Sequence, residues 1–525
     1  MTNPSTSRVR FRSRFRGIAA CAAAVVCVSS GTLAQIVNPT LTDPDRGAVV
    51  GAEVVRRFFG LADARRVDLA IIGDSNIRNA VVSGHEDGMR RAFAARFGCY
   101  ATHVAPLSGE GGWGTVITGA GGGLPAPFRS TNLPRPLWSF VFADPSFPKG
   151  GSYLAPGQAA GEDYNHGFIL NHDHPLGIEG RLVYHLTHHT FRTPTDGRVN
   201  ISVREAFPGS ALNNYVYRSG IGTASASPGL ADIAVEVPAG PRAPTGMLFC
   251  PADFANQRAT RGPFFGLWQR VENAGTTRGI ALSPLLYQGG RSARAAAESL
   301  INAGPEGPAV QEWLRQATRL QGSDRANAVL LVQIIHGGND LLDSAPSLGP
   351  VGGYPSNSLE GYRDNMRGII NLLRQAWSAG GFDGDNLYFL IGPYHPRDQR
   401  RETDRAAERV AADLCGEYPN TMAVRGTMLS TEAEFRANGW YTNEVDLAHL
   451  SPAGFRAWGR GAVLALQRAA CPADLNDDRR CTVEDLFAFV GAWFGGQRAG
   501  DFNRDGTGTI DDVFEFLEAY FRGCA

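Results

Sequence analysis

Short apolar runs alternate with helical segments along much of this chain, and this alternation limits the folds available to it. Apolar runs of this length are typical of strands buried on both faces. A strand–helix alternation predicts an α/β fold with a parallel sheet covered by helices on both faces, and active sites gather at the carboxyl ends of such strands. The apolar runs lie at 67–72, 280–286, 329–335 and 386–392, and helical segments follow them at 89–97, 291–303, 359–378 and 404–414.

Residues 110–278 interrupt this pattern. They are rich in Gly, Pro, Thr and Ser and contain short alternating runs such as RLVYHLTHHTF and ADIAVEV between turn signals, which predicts a β-rich insert. The α/β domain is therefore expected to be discontinuous, over 66–109 and 279–468. We expect the insert to shape a substrate groove or to bind glycan, and a zinc or copper site at His172 and His174 is a further alternative.

The first 34 residues have the features of a secretory signal peptide. Five arginines between positions 8 and 16 precede an apolar stretch at 17–30 and small residues up to Ala34, near which a signal peptidase would cleave. The apolar stretch is too short to cross a bilayer, which needs about 20 residues. We therefore expect an exported chain, extracellular or periplasmic, with no membrane span.

Charge and cysteine content limit the partners and the redox chemistry. The 525 residues include 50 basic and 51 acidic side chains, and this balance gives no reason to expect a nucleic-acid partner. Two of the eight cysteines lie in the predicted leader. The others permit disulfides in an exported protein, but the sequence does not select among their pairings.

Three predicted strand ends or loops carry side chains suited to nucleophilic catalysis. Ser75 lies in a Gly-Asp-Ser turn after the first strand, and Asn339 lies in a His-Gly-Gly-Asn-Asp segment after a later one. Asp446 stands three residues before His449, near the end of the α/β domain. A hydroxyl nucleophile, an amide that stabilises an oxyanion and a histidine oriented by a carboxylate are the parts of an acyl-transfer site.

The order of these motifs resembles that of the SGNH (GDSL) hydrolase family, whose blocks read Gly-Asp-Ser, a glycine, Gly-x-Asn-Asp and Asp-x-x-His. The resemblance covers roughly half of the chain. It implies a flavodoxin-like three-layer α/β/α core. It also implies a serine esterase in which Ser75 is the nucleophile, His449 is its general base and Asp446 orients the imidazole. No cofactor is needed for that chemistry.

The same resemblance implies three oxyanion donors. They are the backbone N–H of Ser75, the side chain of Asn339 and a glycine N–H from the second block. Two glycines fit that block, Gly290 after the strand at 280–286 and Gly111 in SGEGGWG. We favour Gly290, because a helix and then the strand that bears Asn339 follow it.

Residues 471–525 contain an internal repeat with a spacing of 27 residues. Each copy places carboxylate and amide oxygens at the spacing of a calcium loop. The second copy has Gly506 at the sharp turn, whereas the first has Arg479 there. The candidate ligands are Asp501, Asn503, Asp505, Thr507 and Asp512 in the second copy, and Asp474, Asn476, Asp478 and Asp485 in the first.

Two such loops, each followed by one amphipathic helix, resemble a dockerin-type module, a small α-helical unit of EF-hand type. Asp rather than Glu at the twelfth loop position agrees with this resemblance. It implies structural calcium and a cohesin-like or cell-surface partner, although similar repeats also serve only as calcium-stabilised tags.

Export and this C-terminal module favour an acylated polysaccharide or oligosaccharide as the substrate, with O-deacetylation as the first expectation. Two alternatives stay open. One is a lipase or small-ester hydrolase of the same family, and the other is a non-catalytic, scaffold-associated extracellular protein that binds glycan.

Overall fold

The computed structural model describes much of the predicted α/β domain, the strands between 152 and 273, and most of the C-terminal repeat. The described residues are 48–73, 85–98, 100–103, 152–153, 182–190, 199–208, 215–226, 230–237, 246–252, 264–273, 275–287, 292–338, 340–341, 358–392, 394–397, 401–442, 449–476, 478, 480–503 and 506–524.

The strands among these residues are β1 Val49–Val50, β2 Arg66–Gly73, β3 Ala101–His103, β4 Ser152–Tyr153, β5 Leu182–Thr190, β6 Val199–Pro208, β7 Tyr215–Ala226, β8 Leu230–Val237, β9 Gly246–Ala252, β10 Phe264–Asn273, β11 Gly279–Tyr287, β12 Leu330–Ile335, β13 Leu387–Ile391 and β14 Thr421–Val424. The α-helices are α1 Ala52–Ala64, α2 His85–Phe97, α3 Ala293–Ala303, α4 Pro308–Thr318, α5 Leu359–Ala379, α6 Arg401–Glu417, α7 Glu432–Ala437, α8 Pro452–Ala470, α9 Val483–Phe494 and α10 Ile510–Arg522.

Six parallel strands form the centre of the main sheet, in the order β3–β11–β2–β12–β13–β14. Without β3, the chain order of these neighbours is 2-1-3-4-5, which is the order of flavodoxin-like doubly wound sheets. The predicted mixed α/β architecture with a mostly parallel sheet is therefore confirmed.

Helices cover both faces of this sheet because its central strands are apolar on both sides. In β12, Leu330, Val332 and Ile334 face one layer, which contains residues of α3, α4, α5 and α6. The preceding Val329 and the strand residue Leu331 face the opposite layer, which contains residues of α1, α2 and α8. All five side chains are fully buried. Successive side chains of a central strand thus pack against helices on opposite faces of the sheet, which gives three layers.

Antiparallel strands extend both edges of the parallel centre. On one side β10 pairs with β3, β5 pairs with β10, and β8 pairs with β5. On the other side the two residues of β1 pair with β14. Strands β7, β6 and β9 form a separate three-stranded sheet. Strands β10, β5 and β8, which lie within the predicted insert at 110–278, therefore extend the main sheet.

The C-terminal repeat packs two equivalent helices against each other. Phe489 of α9 and Phe516 of α10 occupy matching positions of the repeat, and their rings stack with centroids 4.1 Å apart. Ala492 and Ala519, another matching pair, are also buried. The duplicated sequence thus forms one small core from corresponding residues.

A disulfide between Cys471 and Cys524 joins the beginning of this repeat to its end. Cys471 follows the last residue of α8, and Cys524 follows α10. The sequence left the pairing of these cysteines open.

Candidate functional site

Three neighbouring strands end side by side at one edge of the sheet. Gly73, the last residue of β2, pairs with Tyr287 at the end of β11 and with Ile335 at the end of β12. In a parallel sheet these are carboxyl ends, and the segments that follow them leave from the same edge.

This edge contains the point at which the chain changes direction across the sheet. From β2 the chain continues to β3 and β11 on one side, and it then crosses to β12 on the other. Helices and loops on either side of such a reversal diverge and leave a crevice, which is where doubly wound sheets bind ligands. The site candidates predicted after β2, β11 and β12 belong to segments that start at this crevice.

Asp340 joins two of these segments directly. Its carboxylate is 1% exposed, and its Oδ2 accepts a hydrogen bond of 3.0 Å from the backbone N–H of Ala293, the first residue of α3. The partial positive charge of a helix N-terminus favours a carboxylate there. The contact fixes the segment after β12 against the start of the helix that follows β11. Sequence reasoning assigned no role to Asp340, although it closes the Gly-x-Asn-Asp block.

His336 lies beneath the same edge as a buried neutral imidazole. It is 4% exposed, and burial lowers the pKa of His336 to about 3. Neither ring nitrogen has a hydrogen-bond partner among the described residues. Its backbone carbonyl accepts a 2.9 Å bond from the Tyr362 hydroxyl, which ties the end of β12 to α5. His336 is therefore neutral and a weak proton acceptor, which does not suit it to act as the general base.

The segment after β13 packs against the segment after β12. A Cβ atom added at Gly338 would lie 2.1 Å from the hydroxyl oxygen of Tyr394, so glycine is required for this close approach. His395 stacks on Tyr394, with ring centroids 5.7 Å apart. The hydroxyl of Tyr441 donates a 2.6 Å bond to the carbonyl of Pro396.

Tyr441 also begins the loop that bears the predicted general base. It forms an isolated β-bridge with Leu450, and the carbonyl of His449 accepts a 3.0 Å bond from the N–H of Thr442. His449 is half-buried, and Ser451 caps α8 by accepting a bond from the N–H of Gly454. Both ends of the loop are therefore anchored, and its base contacts the segment after β13.

The described residues include His449 but not the other predicted catalytic groups. Ser75, Asn339, Asp446 and both glycine candidates, Gly290 and Gly111, lie outside them. Their assignments stay predictions, as does the leader at 1–34.

The first predicted calcium loop brings its carboxylates together. Oxygen atoms of Asp474, Asp478 and Asp485 lie within 4.8 Å of one another. Asp485 also accepts hydrogen bonds from the N–H groups of Leu475 and Thr482, at 2.8 and 2.9 Å. Burial opposes ionisation of Asp485, but these bonds and one from Asn476 hold its pKa below the usual value.

The second loop follows the same plan. Asp512 accepts bonds from the N–H groups of Asn503 and Thr509, at 2.9 and 2.7 Å. Gly506 has φ +91°, a left-handed conformation that favours glycine, and its N–H donates to Asp501 Oδ2 at 3.0 Å. Thr507 is among the described residues, whereas Asp505 is not.

These residues fit a hard divalent cation. The buried Oδ1 of Asp501 has no hydrogen-bond partner among the described residues. Calcium takes several oxygen ligands at about 2.3–2.6 Å, so ligand oxygens on one ion lie up to about 5 Å apart. The spacing of the first-loop carboxylates is compatible with that range, and calcium binding itself stays a prediction.

The sequence matches no protein-family model and no curated protein. Among solved structures, a peptidoglycan O-acetylesterase is 15% identical with a TM-score of 0.44, and the match covers 80% of this chain and 99% of that chain. A family two carbohydrate esterase from Cellvibrio japonicus is 10% identical with a TM-score of 0.24, covering 62% and 96%. An acetyl xylan esterase from Butyrivibrio proteoclasticus is 10% identical with a TM-score of 0.23, covering 60% and 94%.

All three of these proteins are esterases, but the likeness in fold is low and assigns no activity to this chain. Within the described part of the chain, no helix has the length and apolar character needed to cross a membrane.

Proposed function

We propose that this chain is a serine esterase of the SGNH type that removes acyl groups, foremost acetyl groups, from a polysaccharide or oligosaccharide. The observation that carries the proposal is the register of three strand ends. Gly73 pairs with both Tyr287 and Ile335. The segments bearing Ser75 and Asn339 therefore leave adjacent strands at the crevice of a doubly wound sheet.

Chain reach limits how far these groups can lie from one another. Ser75 follows Gly73 by two residues, so its Cα lies no more than about 7 Å from that of Gly73. Gly290 follows Tyr287 by three residues, which gives a limit of about 11 Å. Neighbouring strands are about 4.8 Å apart. These limits support Gly290 over Gly111, which follows a strand one position farther from β2.

Asp340 supplies a second argument for Gly290. Its bond to the N–H of Ala293 links the residue next to Asn339 to the helix that begins just after Gly290. Two donors that act on one oxyanion must be held relative to each other, because misplaced donors lose most of their effect. This contact is suited to that task.

The proposed reaction has two acyl-transfer steps. Ser75 attacks the ester carbonyl while His449 accepts its proton, and the backbone N–H of Ser75, Asn339 and the N–H of Gly290 stabilise the oxyanion. His449 then returns the proton to the leaving hydroxyl group of the glycan. Water activated by the same histidine hydrolyses the acyl-enzyme, and Asp446 keeps the imidazole in one tautomer throughout.

The test compares the unaltered protein with its Ser75→Ala variant on p-nitrophenyl acetate and on acetylated xylan. Ser378→Ala is the matched control, because Ser378 is exposed near the end of α5. We expect Ser75→Ala to lose acetate release from both substrates by at least about 1000-fold and Ser378→Ala to retain it.

The same experiment distinguishes the alternatives. A rate on p-nitrophenyl butyrate that exceeds the rate on acetate, together with no release from xylan, would favour a small-ester or lipid hydrolase. A folded, calcium-loaded protein that is inert on every ester would contradict the esterase proposal and favour glycan binding without catalysis.

We also propose that the C-terminal repeat binds calcium and docks a protein partner of the cohesin-like or cell-surface type. The supporting observation is an apolar surface on this repeat. Nine large apolar side chains are exposed among the described residues, and seven of them lie in α9 and α10. They are Val483, Phe487, Val490, Phe494, Ile510, Phe514 and Phe521.

The repeat presents this surface twice. Phe487 and Phe514 are 70% and 64% exposed and occupy matching positions, as do Phe494 and Phe521 at 78% and 80%. If each copy binds independently, Phe487→Ser or Phe514→Ser alone should leave binding to a cohesin domain within a fewfold of the unaltered value. The double variant should lose it, as measured by titration calorimetry with and without a calcium chelator.

A further inference from the structure

Three sulfur atoms meet where the C-terminal repeat begins and ends. Cys471 and Cys524 form a disulfide, and Cys481 is a free thiol. The Sγ of Cys481 lies 3.5 Å from that of Cys471 and 3.6 Å from that of Cys524. The thiol is therefore in contact with both sulfurs of the bond, and neither the esterase proposal nor the calcium proposal uses it.

We propose that Cys481 exchanges with this disulfide, so that the repeat interconverts among three pairings. In one step the Cys481 thiolate attacks the Sγ of Cys524. A Cys481–Cys524 bond forms, the Cys471–Cys524 bond breaks, and Cys471 leaves as a thiolate. Cys481 gives its proton to solvent and Cys471 takes one up, so that the step needs no oxidant or reductant.

Attack on the other sulfur gives the third pairing. A Cys471–Cys481 bond then forms, and Cys524 is released as the thiol. Either reaction requires Cys481 Sγ to approach its partner from about 3.5 Å to the bonded distance of about 2.0 Å. Cys481 Sγ lies beside the bond, almost equally far from both sulfurs, so it must also move into line with the S–S axis, because the attacking and leaving sulfurs are collinear during exchange. Cys481 and Cys524 are both partly exposed, whereas Cys471 is 2% exposed, so attack on Cys524 is the more accessible of the two reactions.

The exchange involves the first calcium loop. Cys481 lies between Asp478 and Asp485, whose carboxylates group with that of Asp474. A bond to Cys481 ties the middle of this loop covalently to the sulfur cluster, whereas in the Cys471–Cys524 pairing Cys481 touches the cluster only through non-bonded contacts. The second loop has Gly508 at the matching position, so only the first loop is affected.

Calcium binding to the first loop and the disulfide pairing of the three cysteines are therefore expected to influence each other. If calcium binds the first loop more tightly in one pairing, it must shift the population toward that pairing by the same factor. We expect calcium to change the ratio of the pairings by about fivefold, the lower end of the usual range for coupled sites.

The test identifies which cysteine is free. The full chain is incubated at mildly alkaline pH, with calcium or with a chelator, then quenched in acid, unfolded in acidic guanidinium and labelled with N-ethylmaleimide. Trypsin places the three cysteines on different peptides, since Arg480 and Arg522 are among the cleavage sites that separate them. Mass spectrometry then reports the share of label on Cys471, Cys481 and Cys524.

Exchange predicts label on Cys471 or Cys524 as well as on Cys481, in proportions that calcium alters. Label confined to Cys481 in every condition would overturn the proposal. Equal proportions with and without calcium would overturn the coupling to the first loop.

The Cys481→Ser variant is the control for the disulfide itself. It removes the attacking thiol but leaves Cys471 and Cys524, so it should show no label on either of them. Cys415, a free cysteine in α6, serves as the internal standard for labelling. Label on Cys471 or Cys524 in this variant would show that their bond does not form, which also contradicts the proposal.

Discussion

Replacing Asp340 by alanine tests whether this carboxylate holds the crevice together. Asp340 is buried and accepts a bond from the N–H of Ala293 at the start of α3. An N–H group left buried without its acceptor costs about 1–3 kcal/mol, and a carboxylate at a helix N-terminus contributes up to about 2 kcal/mol when partly buried. We therefore expect Asp340→Ala to lower the free energy of unfolding by about 2–4 kcal/mol.

Asp340→Asn separates the hydrogen bond from the charge. Its amide oxygen can still accept the bond from Ala293, so the loss should be about 1 kcal/mol. Urea unfolding monitored by tryptophan fluorescence measures both variants, because Trp313 and Trp377 are fully buried in the α/β layers. A loss below about 1 kcal/mol for Asp340→Ala would refute this reasoning.

The same variants test the link to catalysis. If Asp340 positions the oxyanion donors, Asp340→Ala should lower kcat by about 10- to 100-fold with little change in KM, and Asp340→Asn should restore most of it. Tyr100→Phe is the control, since the Tyr100 hydroxyl bonds to buried Asp68 near the start of β2, away from the strand ends. This variant should lose stability but keep kcat, and an equal loss of kcat would assign the effect of Asp340 to stability alone.

Three further predictions follow from single contacts. Burial raises the pKa of Glu408 to about 7, despite its bonds to Thr427, so the folded state keeps a proton at a pH where the unfolded chain has released it. The free energy of unfolding should therefore fall by up to about 3 kcal/mol as pH rises from about 4.5 to 7. Glu408→Gln should flatten the curve of urea midpoint against pH. Asp512→Ala should remove about one equivalent of bound calcium in a titration. Asp511→Ala, which changes the exposed neighbouring carboxylate, should leave the calcium stoichiometry unchanged. A Cβ atom at Gly426 would lie 1.7 Å from the carbonyl oxygen of Tyr394, so Gly426→Ala should lower the thermal midpoint sharply in differential scanning fluorimetry, while Gly416→Ala, with open space around it, should not.

The centre of the fold could be predicted from the sequence because its strands are short and apolar on both faces. The predicted strand at 329–335 corresponds to β12 at Leu330–Ile335, and the predicted helix at 359–378 corresponds to α5 at Leu359–Ala379. The edges of the sheet could not be predicted. The two residues of β1 have no periodicity, and nothing local to β10 indicates that it pairs with β3.

The candidate site also has a part that the sequence predicts and a part that it does not. Motif spacing predicts Ser75, Asn339, Asp446 and His449 as a set, because their chemistry is local to short segments. The contact of Asp340 with Ala293 joins parts of the chain that only the sheet brings together. Sequence patterns do not report such contacts.

The register of β2 has a consequence for how the chain folds as it is synthesised. Gly73 leaves the ribosome early, but its partners Tyr287 and Ile335 emerge only after the whole antiparallel region has been made. Until then an apolar strand has no neighbours on either side, and such unpaired strands promote aggregation. Parallel pairing over this sequence separation is intrinsically slow. We therefore expect that the crevice at these strand ends cannot form before β12 has emerged, when about two thirds of the chain has been made.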